Sequence, residues 1–266
     1  MDALAALCLQ IEWGADEALD EAPVNRLRPP KPSASPLVAV AARSERAPPQ
    51  PAVSPSAAPR IGAAAIERAR SAAAAVDTLP ALRNAIIGFD GCALRDIATQ
   101  PVLAEGNPGA LLLIGEAPGA DDDRAGRPFA GPPGVYLDKM LASIGLDRDA
   151  ALITPLIPWR PPGDRPPSPG ELAICLPFLM RLIEISRPRL ALLLGPLASR
   201  SIIGAAVSRR VRRGVWVDVP ISHGTPLRAL PTHSVAWLLS QPELRRDAWA
   251  DLRTLRRAFD TSLAPK

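Results

Sequence analysis

The sequence is poor in aromatic side chains, in cysteine and in long apolar runs. Only 4% of its 266 residues are aromatic, and only Cys8, Cys92 and Cys175 carry thiols. An odd, widely spaced set of three cysteines argues against a disulfide framework and is typical of a reducing compartment. No apolar run reaches the roughly 20 residues that span a bilayer. The start Met-Asp-Ala also lacks the basic region of a secretory signal, so we expect a cytoplasmic protein.

Lysine is equally scarce, because only Lys31, Lys139 and Lys266 carry an ammonium group. The formal net charge is nevertheless +4 and the pI is near 9.4, so arginine supplies almost all of the positive charge. This balance is compatible with an anionic partner such as a nucleic acid. An arginine bias also follows from GC-rich coding, and by itself it does not indicate arginine-based recognition.

Composition divides the chain into three predicted segments. Residues 1–22 carry apolar side chains at helical spacing and are predicted to form a helical segment. Residues 23–77 are rich in proline and alanine, as in PPKPSASP, and are predicted to be a linker that contains one alanine-rich helix. Residues 78–266 are predicted to form the folded domain, which we expect to be monomeric.

Apolar strands and amphipathic helices alternate along the predicted domain. Apolar runs at 110–114, 151–154 and 190–194 predict buried strands, and Ser168 to Glu171 form a capping box that opens a helix. This alternation predicts an α/β fold, a three-layer α/β/α sandwich with a mostly parallel central sheet. Ligands of such sheets bind beyond the carboxyl ends of the strands. Further helices are predicted at 134–144, 196–203 and 243–259, and further strands at 215–219 and 228–231.

The segment LLLIGEAPGADDDRAGRPFAG, residues 111–131, joins the first of these strands to an unusual loop. The loop lacks the glycine spacing of a dinucleotide fingerprint and the Gly-Lys-Ser/Thr of a phosphate loop. Gly115 and Gly119 would let the backbone approach a ligand closely, while Pro118 stiffens the turn. Glu116 is then expected to project into the crevice at the end of the strand.

Several motifs follow one another in a specific order. They are Gly115–Gly119, Gly126–Phe129, Trp159–Arg165 and the helix start at Ser168. With their spacing, they resemble the family 4 uracil-DNA glycosylases over roughly residues 89–259. The resemblance implies the three-layer glycosylase fold. It also implies hydrolytic removal of uracil from DNA in base excision repair, after the base has been flipped into a pocket.

The resemblance implies a role for each part of the first loop. Phe129 would stack on the flipped base, and Gly115, Ala117, Pro118 and Gly119 would line the same pocket. The bond to the base breaks through an oxocarbenium-like sugar, so the carboxylate of Glu116 could position water or stabilise the cation. A preorganised donor would stabilise the negative charge on the departing uracil.

The chain departs from the family at two pocket positions. The family's catalytic histidine aligns without gaps with Ser234, and His233 lies one residue early. We expect His233 to be the catalytic donor and Ser234 to contact the substrate. Pro155 stands where the family has an asparagine that reads the uracil edge, so selectivity would come from backbone groups, an ordered water or another loop.

A third departure concerns the iron–sulfur cluster that four cysteines hold in the family. The corresponding positions are Phe89, Cys92, Trp159 and Cys175. Because four thiolates are the ordinary requirement, we expect no cluster, no other metal and no cofactor. Phe89 and Trp159 could fill the vacated volume as apolar packing.

DNA is the expected partner, and arginines near the crevice are the candidates for phosphate contact. They are Arg160, Arg165, Arg212 and Arg213, for which a solvated basic face is the alternative interpretation. Two alternative functions stay open: a DNA-binding homologue with impaired catalysis, and a glycosylase for another base such as hypoxanthine or xanthine. The N-terminal segment could bind a repair or replication protein.

Overall fold

The computed structural model describes residues 58–204, 212–222 and 225–263. The predicted helical segment at 1–22 and most of the predicted linker lie outside the described residues. Among the helices that the structure describes, none combines the length and apolar character needed to cross a membrane.

The described residues form one mixed sheet of six strands: β1 (Glu105–Gly106), β2 (Leu111–Gly115), β3 (Ala151–Pro155), β4 (Leu190–Leu194), β5 (Val217–Val219) and β6 (Leu227–Thr232). Across the sheet they lie in the order β1-β3-β2-β4-β6-β5. β2, β3, β4 and β6 run parallel, whereas the edge strands β1 and β5 are antiparallel to their neighbours. The mostly parallel sheet that the sequence predicts is confirmed.

Besides four short 3-10 helices, eight α-helices are described along the chain. They are α1 (Ala58–Ala74), α2 (Leu79–Gly88), α3 (Ala120–Ala125), α4 (Pro132–Ala142), α5 (Pro169–Ser186), α6 (Pro196–Ile203), α7 (Val235–Ser240) and α8 (Arg245–Leu263). α5 begins where the sequence predicts, because Ser168 accepts a hydrogen bond from Glu171 N while the Glu171 carboxylate accepts one from Ser168 N.

Both faces of the sheet are covered, which makes the domain a three-layer α/β/α sandwich. Side chains alternate across a strand, so Leu112 and Ile114 of β2 pack against α1, α2, α5 and α6. Leu111 and Leu113 point to the other face and pack in a cluster with α4, α7 and α8. All four leucine and isoleucine side chains are fully buried, as a central strand of a parallel sheet requires.

The packed body extends N-terminal of residue 78, where the sequence places the start of the domain. α1 lies along α5, and its Ala69 and Ala73 are buried in the core. Small alanine side chains let the two helices approach closely, so this alanine-rich stretch belongs to the helical layer and not to a linker. α1 is therefore the helix expected within 23–77, packed against the folded domain.

Candidate active site

A cavity of about 290 Å³ opens at the carboxyl ends of the parallel strands. Gly115 of β2, Pro155 of β3 and Leu194 of β4 form its floor, because these residues end adjacent strands. A larger cavity of about 1230 Å³ lies at the opposite edge, by the first residues of β4 and β6, and contains none of the predicted site residues. The smaller cavity, called the pocket below, is lined by Gly115, Glu116, Ala117, Gly119, Ala120, Asp121, Asp122, Pro128, Phe129, Gly131, Pro133, Pro155, Leu194, Ser234, Val235 and Ala236.

Glu116 projects into the pocket from the first residue after β2. Its Oε1 accepts a hydrogen bond of 2.8 Å from Leu197 N in the first turn of α6. Burial raises the pKa of the carboxyl, while the Leu197 N–H, the Ser234 hydroxyl and the charge of Arg200 act in the opposite direction. The site therefore holds a partly desolvated carboxyl whose ionised form is supported by the Leu197 N–H and by the nearby Ser234 hydroxyl.

Gly195 makes this arrangement possible. It has φ +114°, and a Cβ there would lie 2.5 Å from the carboxyl carbon of Glu116. Only glycine adopts this backbone conformation freely, and only the absence of a side chain leaves room for the carboxyl. The turn from β4 into α6 thus brings the Leu197 N–H to Glu116.

Phe129 lines the same pocket as Glu116. Its ring packs on Gly115, where a Cβ would approach Cζ to 2.7 Å. The backbone of Phe129 has φ +54°, which is uncommon for a bulky residue. The apolar wall and the carboxyl therefore face one slot, as the resemblance implies for a flipped base.

Asp122 joins the two loops that carry Glu116 and Phe129. One carboxylate oxygen accepts a hydrogen bond from Gly119 N at 3.1 Å, and the other accepts one from Ala130 N at 2.7 Å. The sequence analysis did not single out Asp122. Its position three residues after Gly119, at the third residue of α3, is the signal that could have identified it.

The structure brings Ser234 into the pocket but not His233. Ser234 is buried and lines the cavity, and its hydroxyl lowers the pKa of Glu116 by hydrogen bonding. His233 is not among the lining residues. His233 therefore lies outside the pocket, although it is the neighbour of Ser234 in the sequence.

Thr232, the residue before His233, contacts a partly buried ion pair. Arg213 Nη1 contacts both carboxylate oxygens of Asp251 at 2.7 Å, and Thr232 Oγ1 donates to the same carboxylate at 2.7 Å. Desolvation and the positive charge of Arg213 lower the pKa of His233, so the neutral imidazole is favoured. Its Nε2 is buried without a hydrogen-bond partner among the described residues.

Three of the four arginines proposed for phosphate contact are engaged within the protein. Arg160 Nε binds Asp164 at 2.7 Å, and the two terminal nitrogens of Arg165 bind Glu171 at 2.6 and 2.9 Å. Arg213 is held by Asp251 as described. Arg212 is exposed to solvent.

The other predicted residues either line the pocket or lie buried behind it. Ala117, Gly119 and Pro155 line the cavity, whereas Pro118 is buried and does not. Pro155 offers no side-chain donor at the position of the family's asparagine. Leu194, Pro128 and Pro133 also line the pocket and were not predicted, since apolar residues at strand and helix ends give no distinctive signal.

Phe89, Cys92, Trp159 and Cys175 belong to one buried cluster on the α5 side of the sheet. The Phe89 ring meets Phe178 edge to face at a centroid distance of 5.1 Å, and Trp159 is only 1% exposed. The Cys175 thiol is hydrogen-bonded to Cys92, which lowers the pKa of Cys92. Two thiols among aromatic rings do not fit the four-thiolate set that an iron–sulfur cluster needs.

Comparison with known proteins places this geometry in context. The family model described as the uracil DNA glycosylase superfamily matches residues 104–253, which include every strand of the sheet and the whole pocket. Its match begins after the two N-terminal helices of the described chain.

Several curated proteins are similar over most of the chain, each named a type-4 uracil-DNA glycosylase. A protein of Sulfurisphaera tokodaii is 31% identical over 72% of this chain and 88% of its own length. One from Archaeoglobus fulgidus is 32% identical, over 68% of this chain and 92% of its own. One from Thermotoga maritima is 35% identical, over 60% and 84%.

Proposed function

The chain belongs to the uracil-DNA glycosylase superfamily, and we propose that it removes uracil from DNA in base excision repair. The reaction is hydrolysis of the N-glycosidic bond after base flipping. The observation that carries the proposal is the convergence of Glu116 and Phe129 on one slot of about 290 Å³ at the carboxyl ends of the parallel strands. A flipped pyrimidine requires a carboxylate near the sugar and an apolar face for the ring.

In the proposed reaction the bond between C1′ and uracil N1 breaks, and its electron pair leaves with the base. A water oxygen adds to C1′, so the products are free uracil and an abasic site. Glu116 stabilises the cationic sugar and orients this water, with one carboxylate oxygen held by Leu197 N at 2.8 Å. The proton released by the water replaces the lost bond at uracil.

Ser234 takes the position next to the leaving base in this proposal. It is the hydroxyl that lines the pocket beside Glu116, whereas His233 is not among the lining residues. A hydroxyl has one proton, so in the proposed reaction Ser234 turns it from Glu116 to the developing negative charge on uracil, which lowers the barrier. We therefore move the electrophilic role proposed for His233 to Ser234.

The enzyme is proposed to act without an iron–sulfur cluster. The packing of Phe89 against Phe178 and the burial of Trp159 support this, because aromatic rings occupy two of the four ligand positions. Iron analysis of protein expressed with an iron–sulfur assembly system tests it: four iron atoms per chain would contradict the proposal.

The test of the activity uses a uracil-containing oligonucleotide, single-stranded and paired with guanine, followed by alkaline cleavage of abasic sites. Strand scission is expected in both. Release of hypoxanthine or xanthine but not uracil would favour the altered-specificity alternative. Salt-sensitive DNA binding without release of any base would favour the non-catalytic alternative.

Three further proposals concern the chain outside the pocket: a monomeric state, a cytoplasmic location, and recruitment of a repair or replication protein by residues 1–57. Light scattering measures the first, and cell fractionation the second. For the third, deletion of residues 1–57 should leave uracil release intact and remove the partner. Unchanged partner binding would contradict it.

A further inference from the structure

Phe129 keeps an unfavourable backbone conformation in the wall of the pocket. Its φ of +54° lies in the left-handed region, where a bulky side chain is uncommon. Such a conformation persists only where the surrounding structure fixes it. The contacts that fix it therefore also decide where the ring stands.

Arg148 supplies the main polar contacts. It lies just before β3, and its Nη2 donates to the Phe129 carbonyl at 2.8 Å while its Nη1 donates to the Pro128 carbonyl at 3.3 Å. Its Nε donates to Asp138 at 2.6 Å, which orients the guanidinium plane. One planar group thus binds two consecutive carbonyls of the loop and a carboxylate of α4.

The Phe129 carbonyl is confined from the other side by α4. Gly134 has no side chain, and a Cβ there would overlap the Phe129 carbonyl oxygen. The carbonyl is therefore held between the helix backbone and the guanidinium of Arg148. The side chain of Arg148 is only 19% exposed, and it does not line the pocket.

We infer that Arg148 is a positioning residue for the glycosylase reaction, which holds Phe129 in its left-handed conformation and so sets the place of the ring in the pocket. This inference rests on the proposed function. Arg148 does not line the pocket, so its effect passes through Phe129. Displacing a binding group by about 1 Å can reduce the rate about 100-fold.

Arg256 provides a matched control. Its Nη1 donates to the consecutive carbonyls of Ile144 and Gly145, both at 3.1 Å, and its Nε donates to Asp260 at 3.1 Å. The two arginines make the same kind of contact, but Arg256 lies at the far end of α4 from Phe129. Arg256→Gln should cost similar thermal stability and leave uracil release within about twofold of the wild type.

The experiment is a double-mutant cycle on kcat/KM for uracil-containing DNA. Arg148→Gln should lower kcat/KM by about 10- to 100-fold in the wild-type background and by less than about twofold in the Phe129→Ala background. Arg148→Lys keeps the positive charge but loses the planar pair of N–H donors, so its kcat/KM should also fall. Equal losses in the two backgrounds would show that Arg148 does not act through Phe129 and would overturn the inference.

A crystal structure of Arg148→Gln separates this inference from the proposed function. Phe129 should leave positive φ, whether or not the wild-type protein releases uracil. Retention of φ near +54° in the variant would overturn the inference even if the wild-type protein is an active glycosylase. A wild-type protein that releases no uracil would instead overturn the proposed function.

Discussion

The pocket and the buried group of Phe89, Cys92, Trp159 and Cys175, called the cysteine cluster below, pack on the same sheet. Both depart from the family pattern, but in opposite ways. In the pocket, Ser234 and Pro155 stand in place of functional groups, yet the half-buried carboxyl of Glu116 and the ring of Phe129 still face one cavity. At the cluster, Phe89 and Trp159 replace thiols by apolar packing. Catalysis requires polar groups that folding alone would disfavour, whereas a structural site can be replaced by any packing that fills its volume.

The largest effect that this comparison predicts is at Glu116. Glu116→Gln keeps the shape of the side chain but removes its negative charge, so kcat should fall by about 100-fold or more. Single-turnover measurements with excess enzyme check this. Activity within about twofold of the wild type would show that the carboxylate takes no part in the reaction.

The same variant should be more stable than the wild type at neutral pH. Burial raises the pKa of Glu116 above its ordinary value of 4.5, so the ionised form is disfavoured by folding. The stability contributed by the protonated group is present below pH 4.5 and is lost as pH rises through the raised pKa. The gain in melting temperature of Glu116→Gln should therefore shrink as pH falls toward 4.5, and a constant gain would contradict this cause.

Ser234 should show the next largest effect. Ser234→Ala removes one preorganised donor and should reduce kcat by about 100-fold. His233→Ala should leave kcat and its pH dependence close to wild type, because His233 does not line the pocket. The opposite ranking of these two variants would return the electrophilic role to His233.

A substitution in the cysteine cluster should lower the stability of the protein and leave its catalytic rate unchanged. Trp159→Ala leaves a cavity in the core and should reduce the free energy of unfolding by about 3–5 kcal/mol. Its kcat, measured well below its melting temperature, should change little. Denaturant unfolding and kinetics on one preparation check both, and a loss of kcat at full folding would link the cluster to the pocket.

The smallest predicted effect concerns the arginines. Arg212→Ala should lower the slope of log affinity against log salt by about 1, the value for one phosphate contact. Arg165→Ala should change the slope less, since Arg165 is already paired with Glu171. Equal slopes for Arg212→Ala and the wild type would remove Arg212 from the interface.

Most of the fold follows from local patterns in the sequence. The strand at 190–194 and the helix at 196–203 are observed within the predicted bounds, and Ser168 caps α5 as its capping box predicts. The edge strand β1 was missed, because two residues carry no periodicity. The start of the packed body was placed late, because the alanine pattern of α1 does not reveal that it lies along α5.

The site was less predictable than the fold. Glu116 and Phe129 could be predicted to lie in the pocket because they belong to motifs in the glycine-rich loop that follows β2. The sequence did not predict which way His233 points. His233 and Ser234 are neighbours, and only the backbone at the end of β6 decides which of the two side chains enters the pocket. From the sequence, Arg165 and Arg213 are candidates for phosphate contact. Only the folded chain brings Glu171 and Asp251 to them as ion-pair partners.

By itself, the sequence determined the alternation of strands and helices, the glycine-rich loop after β2 and the shortage of thiols for a cluster. These depend on contacts between residues a few positions apart and on composition. The tertiary structure alone decided that Ser234 faces Glu116, that Arg213 is bound by Asp251, and that Arg148 holds Phe129. Those contacts join residues separated by 19 to 118 positions, so they exist only once the sheet has assembled and buried them.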